Sequence, residues 1–189
     1  MIESRVFEAI KRRRSIREYA NKPVEEDKLL TVLEAARLAP SATNTQPWFF
    51  YVVKDVEIKK QIAYAMPVLT YGIMNAFIED APVLIVGCAN PPDLLHRAAA
   101  VFSGRDWAPI DVTIALEHMV LAATDLNLGT CWIGWFSERK VKKILQIPRK
   151  QKLVGMLTLG YPKDASTAEA IGGIPAKSRL PLADIVKFI

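Results

Sequence analysis

The sequence predicts an α+β fold of three layers, a mostly antiparallel central sheet flanked by helices. Helix patterns and strand patterns mix without strict βαβ alternation, and long helical segments separate the strands. Such an order is not that of a Rossmann fold, and since neither G-x-G-x-x-G nor G-x-x-x-x-G-K-[ST] occurs, a nucleotide phosphate would need another cradle. The 189 residues are 51% hydrophobic and 24% charged, with no internal repeat, low-complexity stretch or linker. That composition predicts one globular domain over residues 1–189 with a core of its own.

The elements follow in order. Residues 2–14 carry Val6, Phe7 and Ile10 at helical spacing, and "KRRR" closes the segment, where basic residues face the negative end of the helix dipole. "SIREYANKP" reads as an extended turn ending in Pro23. From Val24, "VEEDKLLTVLEAARLA" is amphipathic through Leu29, Val32, Leu33 and Ala36, with acids in its first turn and Pro40 after its end. "WFFYVV" (48–53) is a strand by its aromatic and β-branched content. "DVEIKKQIAYAM" and "TYGIMNAFIED" read as helices, and "PVLIVGC" (82–88) as a buried strand. Residues 90–107 have no clean period and form a candidate lid. A long helix is then expected from Asp111, "DVTIALEHMVLAATDLNLG", stopped by Gly129. It is apolar nearly all round, so it must be buried on every side or shared between two subunits. "TCWIGWF" (130–136) is a strand and turn, Ser137 caps "SERKVKKIL", and "KLVGMLTLGYP" (152–162) is the last long strand. A loop with Gly172 and Gly173 leads to "PAKSRLPLADIVKFI".

Composition excludes several classes of function. The net charge of +5 is dispersed, unlike the clustered footprint of a nucleic-acid binder. Cys88 and Cys131 lie far apart in apolar sequence, and with two His no zinc constellation can be assembled. They read as buried free thiols in a reducing cytoplasm. Charges run through the apolar positions of the N-terminal segment, which argues against a signal peptide or membrane span.

Four stretches could carry chemistry, and each has a plainer reading beside the functional one. In "RRRSIR", arginine forks and the Ser15 hydroxyl suit a phosphate, and Ser15 and Arg17 point the same way in an extended chain; a solvated helix end is the alternative. In "KSRLPL", Lys177 and Arg179 alternate, either as an exposed tail or as two further cations beside residues 13–17. "SATNTQPW" offers the amides of Asn44 and Gln46 and small residues that admit a planar ring, or else a well-satisfied helix-to-strand turn. Gly134 in "TCWIGWF" lets a backbone N–H approach a ligand, or simply ends a strand. Trp48 is expected to open its strand and fill the core.

Taken in order, "RRSIREY", "AARLAPSATNTQPWFF", "AATDLNLGTCWIG" and "KSRLPL" resemble the FMN-dependent nitroreductase family over about residues 7 to 185, "PSATNTQPW" being the most specific part. The resemblance implies a nitroreductase-like fold and an intertwined homodimer with FMN at the subunit interface, which would account for the all-round apolar helix. It places Arg13, Arg14 and Ser15 at FMN, with phosphate as their main target, and Arg17 beside the pyrimidine side of the ring. A positive charge there would stabilise the anionic reduced flavin. It brings Pro40, Ser41, Ala42 and the nearby Asn44 from the other subunit, sets Ile133, Gly134 and Trp135 at the ring, and clamps the phosphate with Lys177 and Arg179. Two departures stand out. Asn75 is only a loose match to a family Asn, and Phe77 and Ile78 stand where a Lys is expected. Residues 91–107 contain no Glu, Tyr or Lys, the set that dehalogenating members carry in a lid.

The implied activity is an NAD(P)H oxidoreductase that reduces electron-poor acceptors (nitroaromatics, quinones or enones) by ping-pong hydride transfer through flavin N5. NADH or NADPH would be the donor and a small molecule the acceptor, with no nucleic acid or membrane partner. The flavin carries the chemistry, so no catalytic side chain is assigned, and His118 and Asp111 are left as structural. The competing readings are an FMN-dependent oxidase or dehydrogenase of an amine or peptide-derived substrate, and a flavin-holding protein without turnover.

Overall fold

The computed structural model describes residues 4–65, 76–93, 96, 98, 102, 104–164 and 179–189. Helix α1 spans Arg5–Arg12, shorter than the sequence pattern because Arg13 leaves helical backbone angles (φ −52°, ψ 129°). Ser4 caps it, accepting from the Phe7 N–H at 3.1 Å. Helix α2, Glu26–Arg37, buries Leu29, Val32 and Ala36. A 3-10 turn over Ala42–Asn44 leads to strand β1, Trp48–Val53. Helix α3, Val56–Tyr64, is capped by Asp55 through the Ile58 N–H at 2.8 Å. Helix α4 (Phe77–Asp80), strand β2 (Val83–Ala89), helix α5 (Trp107–Asp125), strand β3 (Gly129–Ile133), helix α6 (Glu138–Leu145), strand β4 (Lys152–Gly160) and the single turn α7 (Leu182–Ile185) follow.

The four strands form one antiparallel sheet in the order β1-β2-β4-β3. Every residue of β2 is buried, as its unbroken apolar run requires of a central strand. One core joins the sheet to α3, α4 and α6 through Ile62, Ile78, Val141 and Met156. The other lies under α2 and α5 and holds Leu29, Val32, Leu116, Met119 and Leu157. These are the three predicted layers. Trp48 packs against the second core.

Three local expectations are corrected. Helix α5 begins at Trp107 rather than Asp111, since Pro109 falls in its first turn, where no intrahelical N–H is needed. It ends at Asp125, and Asn127 (φ 59°), not Gly129, turns the chain into β3. Ser137 stands before α6 without a side-chain cap bond; its carbonyl accepts from Val141 instead. In the single chain α5 is not covered all round, and sharing it between two subunits is the alternative that this leaves. Val112, Ala115, Leu116, Met119, Val120 and Ala123 are enclosed, but Ile110 is 45% exposed and Leu121 is half-buried. Among the described residues no helix is long and apolar enough to cross a membrane. The helix expected over 70–80 is described only from Phe77, and Asn75, Gly172, Gly173 and Lys177 lie outside the described residues.

Candidate functional site

Past α1 the chain runs extended along the outer edge of β3. The Ile16 N–H donates to the Thr130 carbonyl at 2.9 Å, and Ser15 and Thr130 form a parallel bridge. Buried Tyr19 locks the segment from below: its hydroxyl donates to the Ile16 carbonyl at 2.8 Å and lies 2.7 Å from Thr158 Oγ1. Burial pushes the Tyr19 hydroxyl well above its ordinary range, so it stays protonated and serves as a donor.

This anchoring lays the segment that carries Arg13, Ser15 and Arg17 along β3, the strand that holds the buried thiol of Cys131. Burial raises the Cys131 pKa, while the Arg17 charge, a hydrogen bond with Ser15 and the Arg13 charge pull it down. The Arg17 guanidinium also lies 5.9 Å from the centre of the buried Phe77 ring. Arg14 departs from the cluster. It donates to the carbonyls of Lys11 at 2.6 Å and Arg13 at 2.9 Å, closing the end of α1, and lines a separate cavity of about 410 Å³ with Arg12 and Asn127.

Beside the cluster, β3 ends in buried Ile133, exposed Gly134 and Trp135, whose indole is 60% exposed. A Cβ on Gly134 would meet nothing within 4 Å, so its backbone faces open space. Arg179 is exposed in the last described segment.

The loop after α2 is held in an unusual shape. Thr43, Asn44 and Gln46 all have positive φ (50°, 59° and 47°), a costly conformation for a β-branched threonine. Ser41 Oγ accepts from the Gln46 N–H at 3.0 Å, and Asp111 Oδ1 from the Ala42 N–H at 3.2 Å. Asp111 is buried and its Oδ2 has no hydrogen-bond partner among the described residues; burial raises its pKa against the Ala42 bond and the His96 charge. Pro40 and Asn44 are exposed, and Ser41 and Ala42 half-buried. These bonds run to the α5 face of the sheet, whereas Cys131 belongs to the opposite core. One chain therefore does not bring Pro40–Asn44 to Arg13, Ser15 and Arg17.

The loop also touches groups that sequence reading missed. Thr43 Oγ1 lies 2.5 Å from His96 Nε2, and His96 Nδ1 lies 2.7 Å from Asp93 Oδ1. His96 and Asp93 border a cavity of about 290 Å³ between the loop, the 90–93 turn and the start of α5. The one sequence signal was Asp93 three residues before His96, a capping spacing in an otherwise aperiodic stretch. His118, set aside as structural, places Nδ1 3.3 Å from the Ala35 carbonyl.

Comparison with known proteins gives a consistent answer. The Nitroreductase family model matches residues 10–161. A protein of Archaeoglobus fulgidus bearing the name NADH dehydrogenase/NAD(P)H nitroreductase is 35% identical over 156 residues, covering 80% of this chain and 82% of its own. The crystal structure of a nitroreductase family protein from Clostridium novyi superposes with a TM-score of 0.76 at 37% identity, over 88% of each chain. An FMN-dependent nitroreductase of Clostridium difficile does so with a TM-score of 0.69 at 30% identity, over 82% of this chain and 87% of that one.

Proposed function

The chain belongs to the nitroreductase family, and from that premise we propose that it is an FMN-dependent oxidoreductase driven by NADH or NADPH. Its acceptors are electron-poor small molecules: nitroaromatics, quinones or enones. The observation that carries the reading is the anchoring of the segment with Arg13, Ser15 and Arg17 along the edge of β3, the strand that runs on to the open backbone of Gly134.

The residues present fit the cofactor. Two guanidinium groups and a hydroxyl suit an anionic phosphate and an electron-rich ring edge, and the empty space over Gly134 admits a flat heterocycle. When bound, FMN supplies a centre that accepts hydride from a nicotinamide and returns it to an acceptor. Arg13 and Ser15 would hold the phosphate, with Lys177 and Arg179 as further cations for it. Arg14 serves by ending α1 at that point. Arg17 would supply a positive charge to the pyrimidine side of the ring, which favours the reduced anion. Ile133, Gly134 and Trp135 at the strand end would hold the ring, with a backbone N–H as donor to it.

The remaining wall, Pro40, Ser41, Ala42 and Asn44, comes from a second subunit in this reading. Support lies in the apolar side chains that one chain leaves uncovered: Val6 and Leu38 are each 64% exposed, next to half-buried Leu121. The outer edge of β1 has no strand beside it among the described residues, and Phe49 on it is 46% exposed.

An anaerobic visible spectrum of the purified protein, before and after NADH and then NADPH, tests the proposal. Flavin bands that bleach with a nicotinamide and return with a quinone or nitroaromatic are expected. Protein that stays colourless with added FMN refutes the cofactor site. Flavin bands that persist with both nicotinamides refute the reductase and point to an amine or peptide-like donor.

A further inference from the structure

We propose that His96, oriented by Asp93, delivers a proton through the Thr43 hydroxyl to the acceptor during its reduction. The inference rests on the reading that the loop over residues 40–44 faces the cofactor.

The geometry is that of a relay. Asp93 accepts twice from His96, from its backbone N–H at 2.9 Å and from Nδ1 at 2.7 Å, which fixes both ring position and tautomer. Nε2 is then the nitrogen free to exchange a proton, and it faces Thr43 Oγ1 at 2.5 Å. The same hydroxyl donates to the Ala42 carbonyl at 2.8 Å, which leaves its lone pair for a protonated Nε2; the proton goes onward when the hydroxyl turns from Ala42 to the acceptor. Thr43 is exposed and sits at positive φ in a loop pinned by Asp111 and Ser41, which aims a hydroxyl that a relaxed loop would leave free.

The chemistry balances. Hydride addition to a quinone or enone supplies two electrons and one hydrogen, and leaves an oxygen anion that needs one proton. The Thr43 O–H bond breaks as the acceptor O–H bond forms, and the His96 Nε2–H bond breaks as the Thr43 hydroxyl is remade. His96 is left neutral with Nδ1–H still on Asp93, and half-buried as it is, it regains a proton from water. Asp106 and Asp111 line the cavity that His96 borders, and Asp106 pairs with Lys152 at 3.4 Å. A positioned acid of this kind is worth roughly 100-fold in rate.

The test uses FMN-loaded protein reduced with dithionite, so that it does not depend on any nicotinamide, and reoxidised anaerobically in a stopped-flow cell. Thr43→Val and His96→Gln are expected to slow reoxidation by benzoquinone roughly 10- to 100-fold and to abolish its solvent isotope effect. Oxidation by ferricyanide, which takes electrons only, should keep its wild-type rate, and Thr43→Ser should restore the quinone rate. Independently of turnover, the His96 Nε2 resonance in ¹⁵N NMR should shift in Thr43→Val. Quinone rates equal to wild type in both variants, or an unmoved Nε2 resonance, overturn the relay. Wild-type flavin that neither nicotinamide reduces overturns the reductase reading instead, and a protein that takes up no FMN overturns both.

Discussion

The hydrogen bond from the Ile16 N–H to the Thr130 carbonyl, 2.9 Å long, ties the arginine-bearing segment to the edge strand of the sheet. Ile16 is buried against Gly129, so close that a Cβ there would lie 2.6 Å from Ile16 Cγ1. The position of Arg13, Ser15 and Arg17 depends on that contact.

Gly129→Ala is therefore expected to destabilise the protein by about 1–3 kcal/mol through overpacking, and to weaken FMN binding at the same time. Urea denaturation and a flavin titration measure the two effects. Unchanged stability would mean that the segment is not clamped as described.

Gly134→Val should behave in the opposite way. Nothing in this chain meets a side chain there, so stability should stay within about 0.5 kcal/mol of wild type. FMN affinity should fall tenfold or more, about 1.4 kcal/mol, because the branched side chain occupies the ring's place. A variant that binds FMN as wild type does would move the ring away from β3.

Arg14 and Arg17 should separate cleanly. Arg14→Gln removes the bonds that close α1 and should cost roughly 0.5–1 kcal/mol of stability, with little loss of flavin. Arg17→Gln should spare stability and lower the flavin midpoint potential, since the charge that favours the reduced anion is gone. Equal potentials in the two variants would remove Arg17 from the ring.

Asp111 should leave a mark on the acid limb of the stability curve. Its folded pKa is raised above 3.8, so the folded state holds the proton to higher pH than the unfolded chain. The contribution of Asp111 is fully present below the unfolded value and is lost as pH rises through the folded one. Asp111→Asn keeps an acceptor for the Ala42 N–H and lacks this loss. Urea denaturation from pH 3 to 7 should show the wild type falling relative to the variant as pH rises, and parallel curves would contradict the shift.

Leu38→Glu tests the second subunit. Leu38 is 64% exposed in one chain, so the change should scarcely affect an isolated fold, yet it places a charge at the apolar groove beside Leu121 and Ala122. Sedimentation should show wild type at twice the chain mass and the variant shifted to monomer with its flavin lost. Wild type that sediments as a monomer would exclude a site shared between subunits.

The layers and most of the elements are legible in the sequence, because apolar period and composition act locally. The unbroken run from Val83 forms a central strand, the Leu29, Val32 and Ala36 stripe seats α2, and Arg13, Ser15 and Arg17 alternate with buried Ile16 in a segment too polar to continue α1. Helix ends were read less well. Gly129 looked like a stop signal, but Asn127 made the turn and Gly129 was needed for the close approach of Ile16. Which groups meet is set by packing between distant segments: Arg14 turns back to α1, Asp111 pins the Ala42 N–H, and His96 reaches Thr43 across 53 positions of chain. Such contacts depend on how distant segments pack, and no periodicity records them, because a hydrogen bond between two loops leaves each loop's own pattern unchanged.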